Sequence, residues 1–246
     1  MSERHYIVEA FSELSSRYEQ VVDAELQRFW GWSYDGFVDN MVNLTKIQSG
    51  DRLLDIATGT SVIPLKLLAR GDPVGKITGL DITYSMLEKG RQKIRKRGAG
   101  ELISSVCGNA MAMPFQNGWF DVIVCGLATH HLDVAILLNE MSRLLRPGGR
   151  LTIADVGWSA ALRKPPINWV IKTATLVYFL PKEGYARSRA ELAALSHVLT
   201  PSEWKGLLIA LNFKDISVEQ LEKKRAWVPA PLVVRAIKPS GGELTS

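Results

Sequence analysis

The stretch LLDIATGTSVIP, residues 53–64, is an apolar run that ends in an acid, turns through small residues and resumes as a second apolar run. Its first half, RLLDIA, is short and apolar enough to be a buried strand, and the continuation VIPLKLLAR has the length and pattern of a helix. Asp55 stands at the strand end and Gly59 in the turn. Small residues at such a turn let backbone N–H groups approach a ligand closely. Ser61 is expected to cap the helix, and Pro64 falls in its first turn, where a missing N–H costs little. Taken alone, the stretch also admits a plain reading in which Asp55 and Gly59 only shape a tight connection.

Outward from this turn the alternation continues. KITGLDI reads as a second strand, followed by a helix over about 85–96. LISSVCG and FDVIVCGL read as two more strands, VAILLNEMSRLL as an amphipathic helix stopped by RPGG, and RLTIADV as a fifth strand. Apolar strands alternating with helices imply a parallel sheet covered on both faces, with right-handed crossovers. Past residue 157 the alternation stops. A Pro-initiated apolar segment, PPINWVIKTATLVYFL, precedes the helical SRAELAALSHVL, with Gly184 between them as a hinge. TPSEWKGLLIALNF carries strong helix-start signals in Thr200, Pro201 and Glu203. KDISVEQLE and WVPAPLVVRAIK read as strands that close the sheet, and the tail from Pro239 as frayed. Residues 1–48 read as helical and unusually aromatic, with Val8, Phe11, Leu14 and Tyr18 at helical spacing and then Phe29, Trp30, Trp32, Tyr34 and Phe37. That stripe either packs on the main domain or lines part of a ligand pocket. The expected organisation is an N-terminal helical cap (1–48) and a main domain (49–246) with a helical cover at about 157–200.

Composition narrows the class. The 246 residues are 46% hydrophobic, enough to bury a large α/β core. No N-terminal apolar h-region and no membrane-length apolar run are evident, so a soluble, cytoplasmic protein is expected. Cys107 and Cys125 lie in strand-like stretches and are expected to be buried free thiols, and no Cys or His spacing resembles a metal site. The net charge of +5 is modest and partly concentrated in RQKIRKRG (91–98), read as the solvated end of a helix, and EKKRAW (222–227), read as a turn. A solvated face, or at most peripheral attraction to an anionic membrane, accounts for it; no nucleic-acid partner is expected.

An open parallel sheet holds its ligand at the carboxyl ends of its strands, near the switch in strand order. The second strand ends in Asp81, about 20 residues beyond the Gly59 turn, an offset that suits a ribose diol. The third ends in CGNAMAMPF, where Asn109 is available to an adenine edge, and the fourth in CGLATHHL. Only Gly59 of a G-x-G-x-x-G fingerprint is present, and there is no G-K-[ST], so a pyrophosphate is the wrong ligand. A ribose, an adenine and a zwitterionic amino-acid tail fit better, which describes S-adenosylmethionine.

At these residues the chain resembles a family. LLDIATGTS, GLDITYSMLEKGR, GNAMAMPFQNGWFDVIVCG and RLLRPGGRLTIADV look like the successive motifs of class I S-adenosylmethionine-dependent methyltransferases. The likeness is greatest to the ubiquinone/menaquinone-biosynthesis C-methyltransferase group, whose N-terminal Phe…Tyr segment AFSELSSRYE resembles and whose late helix LTPSEWKGLLIALNF resembles. It covers about 8–156 well and 198–237 loosely. The resemblance implies a doubly wound, mostly parallel seven-stranded sheet of Rossmann-like methyltransferase type, with N-terminal helices and a helical insertion after strand five. It implies that Asp55, Ala57 and Gly59 frame the methionine end of the cofactor and that Asp81 holds the ribose, with Ile82 and Met86 beside the adenosine. Asn109 and Ala110 would flank the adenine, Gly126 would lie near the sulfonium, and Tyr18 belongs to the same set. Thr58 and Ser61 depart from the family pattern and narrow the loop.

The sulfonium carries its own driving force, so the protein's task is to position an acceptor and, for a phenol or ring carbon, to supply a base. His130 and His131 lie at the right rim; His131 is the candidate base or orienter, against the plain reading that the pair only shapes its loop. His5 and His197 have no such context. The segments outside the cofactor motifs are apolar and suit a small hydrophobic or aromatic acceptor, with transfer to carbon or oxygen favoured. Residues 157–200 depart from the quinone group's pattern. The alternatives are an RNA or protein methyltransferase, against which the lack of a basic arm counts, and a binding protein without transfer activity.

Overall fold

The computed structural model describes residues 3–225 and 228–240. Three helices open the chain: α1 (Glu3–Leu14), α2 (Tyr18–Phe29) and α3 (Tyr34–Thr45). Then β1 (Arg52–Ile56), α4 (Val62–Arg70), β2 (Lys76–Asp81), α5 (Tyr84–Lys96) and β3 (Ile103–Cys107) alternate as the hydrophobic pattern predicts. They are followed by β4 (Phe120–Gly126), a single 3-10 turn (Thr129–His131), α6 (Val134–Leu144) and β5 (Leu145–Val156). A long helix α7 (Pro165–Ala194), then α8 (Pro201–Ala210), β6 (Lys214–Gln220) and β7 (Pro231–Ile237) complete the described chain.

The seven strands form one sheet in the order β3-β2-β1-β4-β5-β7-β6. The first five pair in parallel, and β7 runs antiparallel to both β5 and β6. Strand order reverses between β1 and β4, so the crevice above those two carboxyl ends is where a ligand belongs. Both strands are apolar almost throughout, because helices cover both faces. One core layer packs α6 and α8 on the sheet through Leu137, Met141, Trp204 and Leu208; the other packs α2 to α5 through Leu26, Phe37, Leu67 and Ile94. Trp204 is 1% exposed, and truncating such a ring costs about 3–5 kcal/mol.

The N-terminal aromatics do both jobs foreseen for them. Phe37 is core, Trp30 and Trp32 donate their indole N–H groups to the carbonyls of Pro229 and Glu222, and Phe11, Tyr18 and Phe29 line clefts. Two readings are corrected. Cys107 is exposed, since β3 is the sheet's edge, whereas Cys125 on central β4 is buried. Ser61 makes no side-chain cap, because its backbone is left-handed (φ 62). The apolar and the helical segments after residue 164 meet as read from the sequence: two helical halves, numbered together as α7, join across a kink at Gly184 (φ 80, ψ −174). The EKKRAW reading ends, at Ala226 and Trp227, outside the described residues, as does the tail beyond residue 240.

Candidate functional site

The turn after β1 is built from alternating left-handed residues, Ala57 (φ 55), Gly59 (φ 52) and Ser61 (φ 62). Only glycine adopts that conformation freely, so Ala57 and Ser61 hold the loop in a strained path. Two acids fasten it. Asp81, at the end of β2, accepts the N–H of Gly59 (2.9 Å) on one oxygen and that of Thr83 (2.8 Å) on the other. Asp55 accepts the hydroxyl of Thr58 at 2.6 Å and is fully buried. Burial pushes the Asp55 carboxyl up to about 7, and its Oδ1 has no partner among the described residues.

Around this turn lies a cleft of about 650 Å³ lined by Tyr18, Ala57, Gly59, Asp81, Ile82, Met86, Asn109, Ala110 and Gly126. The structure thus brings together nine of the ten residues singled out for the cofactor. Asp55 is the exception: it braces the turn from beneath and does not line the cleft. Its place at the strand end is what drew it into the set, and the pleat carries its side chain under the loop. The cleft fits the expected ligand. Each Asp81 oxygen keeps a lone pair beyond the N–H it accepts, which a diol can use. The Asn109 carbonyl oxygen is taken by the N–H of Met111 (3.0 Å), which leaves its amide donors for a base edge. A Cβ on Gly59 would lie 3.2 Å from the Met86 methyl and 3.9 Å from the Tyr18 ring, so the position is an open cradle only as glycine.

A second cleft, about 1050 Å³, adjoins the first; Phe11, Tyr18, Leu127 and His131 line both. Its walls are largely apolar, among them Val22, Leu26, Phe29, Trp158 and Phe179. At one end sits a cluster of titratable groups, of which His131 and Arg187 are buried and Glu25, His130 and Glu191 partly buried. Asp155, at the end of β5, holds His130 through Nδ1 at 2.6 Å and also accepts the hydroxyl of Thr129 and the N–H of His130. Burial opposes a charge on His130, but the Asp155 carboxylate outweighs it and raises the imidazole above its ordinary value. His131 is the opposite case. Burial and the neighbouring His130 lower it to about 4, so it is neutral, and neither ring nitrogen has a hydrogen-bond partner among the described residues. Its Nε2 lies 3.6 Å from Glu191, beyond a hydrogen bond. Arg187 Nη2 lies 2.9 Å from Glu191 and 3.6 Å from Glu25. Burial is again the largest influence on Glu25, pushing it up to about 7.

Sequence reasoning passed over Asp155, Leu127 and the Glu25–Arg187–Glu191 group. Asp155 was within reach, since the rule applied to the first four strand ends also points to the fifth. Leu127 carries a positive φ of 53 at the turn after β4, and an isolated leucine gives no sign of that. Arg187 and Glu191 are spaced four apart, as in any exposed helical ion pair; only tertiary packing takes Arg187 out of solvent.

Similarity to known proteins agrees with this geometry. Residues 1–172 match the model of the ubiE/COQ5 methyltransferase family. A demethylmenaquinone methyltransferase of Symbiobacterium thermophilum is 33% identical over 180 residues, covering 72% of this chain and 67% of that one. The ubiquinone/menaquinone biosynthesis C-methyltransferase UbiE of a Ruegeria species is 34% identical over 149 residues, covering 59% of this chain but only 56% of that relative. In fold, the chain resembles a geranyl diphosphate C-methyltransferase from Streptomyces coelicolor, with a TM-score of 0.66 at 16% identity over 90% of this chain and 84% of that one. With residues 1–172 of 246 matched by the family model and the fold in agreement, the protein belongs to the ubiE/COQ5 methyltransferase family, whose methyl donor is S-adenosylmethionine.

Proposed function

We propose that the protein transfers a methyl group from S-adenosylmethionine to a ring carbon of a small hydrophobic acceptor, a quinol precursor held in the second cleft. The observation that carries this reading is the wall of Phe11, Tyr18, Leu127 and His131 that both clefts share. Two reactants, one in each cleft, meet there. When bound, S-adenosylmethionine supplies an electrophilic methyl group on a sulfonium.

The chain's residues do the rest. Asp81 takes the ribose hydroxyls, Asn109 and Ala110 flank the adenine, and Gly126 keeps the end of β4 low beneath the reacting centre. A ring carbon that gains a methyl group must lose a proton. His130 takes that proton on Nε2, because Asp155 fixes Nδ1 and turns the other nitrogen to the cleft. Asp155 is a positioning residue. His131, neutral and at the junction, orients the acceptor instead of acting as the base. Residues of the helical cap over 1–48 line both clefts, and residues of the cover over 157–200 line the second. The relatives' names, with demethylmenaquinone in one and ubiquinone/menaquinone biosynthesis in the other, support a quinol ring and transfer to carbon. Two unpaired cysteines suit a reducing compartment, and we assign the reaction to the cytoplasm.

The test is to incubate the full chain with S-adenosylmethionine and a demethylmenaquinol of shortened tail, and to read the product by mass spectrometry. A ring-methylated product and equimolar adenosylhomocysteine are expected. Asp155→Asn is expected to lower kcat by about 10²–10⁴, the range of a disabled acid–base group, and to move the pH inflection of kcat/KM downward. No product from the quinol would overturn the acceptor assignment; an unchanged pH profile in Asp155→Asn would overturn the role of His130.

A further inference from the structure

Gly184 divides α7 into unlike halves. The C-terminal half packs into the molecule, with Ala186, Arg187, Ser188, Ala190 and Ala194 buried, while the N-terminal half buries no residue. On one side of that half, Thr175 and Phe179 line the second cleft, and the Tyr178 ring meets Phe29 edge-on at 5.5 Å. On the other side Trp169 is 77% exposed and Val170 and Val177 are each 68% exposed. With Pro165, Pro166 and Ala174 they form a shallow apolar groove open to solvent.

An exposed tryptophan amid exposed valines is costly on a surface that faces only water. The charge around it is one-sided. Residues 159–182 contain Arg163, Lys164, Lys172 and Lys182 and no Asp or Glu. Arg163 is paired with Glu203, but Lys164, Lys172 and Lys182 make no ion pair among the described residues. No described helix is long and apolar enough to cross a membrane. A helix with an apolar face, an interfacial tryptophan and flanking lysines has the make-up of one that lies in the plane of a lipid surface. A second copy of the chain is the poorer occupant, because a two-fold contact through this face would set the lysines of one copy against those of the other.

We propose that the outer face of the N-terminal half of α7 docks on an anionic lipid surface. The inner face of the same half lines the second cleft, so docking would bring that cleft to the lipid, where an apolar acceptor would dissolve. The docking itself does not depend on the identity of the acceptor, and its test uses none.

The experiment is sedimentation of the full chain with vesicles of mixed phosphatidylglycerol and phosphatidylcholine, and with vesicles of phosphatidylcholine alone. The wild type is expected to sediment with the anionic vesicles and about tenfold less with the neutral ones. Trp169→Glu combined with Val177→Glu is expected to reduce anionic-vesicle binding by about tenfold or more while adenosylhomocysteine affinity by calorimetry stays unchanged, which shows the variant is folded. Wild type that stays in the supernatant, or a variant that binds the vesicles as the wild type does, overturns the proposal. So does a concentration-dependent dimer that the variant abolishes with no vesicle binding. Should the double variant lose adenosylhomocysteine affinity, Lys172→Glu, on the exposed surface, replaces it with the same readings.

Discussion

Asp81 has two duties that a single carboxylate serves at once. Its oxygens accept the N–H groups of Gly59 and Thr83, which fixes the turn after β1, and their remaining lone pairs face the first cleft. Asp81→Ala is therefore expected to weaken adenosylhomocysteine binding by about 1–3 kcal/mol, the scale of a lost charge-assisted hydrogen-bond site. Calorimetry on the purified variant measures it, and an unchanged dissociation constant in a folded protein would remove Asp81 from the ribose site. The two histidines show how far one residue can be read from sequence. Their position at the rim was legible, because CGLATHHL follows an apolar strand. Their different surroundings were not. They depend on Asp155, 25 residues away, which reaches His130 and not His131. Nothing in the spacing of His130 and His131 distinguishes them.

Elements were more legible than single side chains. Alternating apolar strands and amphipathic helices foretold β1 to β5 with α4 to α6, and Thr200 with Glu203 foretold α8, where both hydrogen bonds of the capping box are made. What failed was local conformation under tertiary control. Ser61 has the chemistry of a cap, but it lies beneath Gly90 of α5, where a Cβ would approach its hydroxyl to 2.4 Å, and its φ is positive. Within PPINWVIKTATLVYFL nothing in the sequence separates Trp169 from Tyr178 as cover for an acceptor. The helix turns Trp169 to solvent and Thr175 and Phe179 to the cleft. The bend in α7 belongs to this scale too. At φ 80 and ψ −174, Gly184 occupies a region that is essentially glycine's alone, while nothing lies within 4 Å of an added Cβ. Gly184→Ala is thus expected to destabilise the protein by about 1–3 kcal/mol through backbone strain and not through a clash. Denaturant unfolding measures it, and a neutral substitution would mean that the bend adjusts freely.

At the scale of the whole molecule, one cluster of titratable groups joins elements far apart in sequence. Glu25 from α2, Arg187 and Glu191 from α7, Asp155 from β5 and the two histidines converge where the cap, the sheet and the cover meet. Such a cluster ties stability to pH. Glu25 rises from 4.5 to about 7 through burial, so the folded state binds its proton more tightly than the unfolded chain does. Its contribution to stability is complete below the unfolded value and is lost as pH rises through about 7, a swing of about 3 kcal/mol at most. Glu25→Gln, which mimics the protonated form, is expected to melt higher relative to the wild type at pH 8 than at pH 5. Thermal melts that shift in parallel with pH would contradict it. The central claim is that the two reactants occupy separate clefts joined at Phe11, Tyr18, Leu127 and His131. Its most direct test is to fill one cleft and titrate both ligands. Phe179→Trp adds bulk to the second cleft only. Calorimetry with adenosylhomocysteine is predicted to give an unchanged dissociation constant, while a short-tailed demethylmenaquinol binds at least about tenfold more weakly, a loss of about 1.4 kcal/mol. A variant that loses both affinities in parallel, or keeps both, would contradict the two-cleft arrangement.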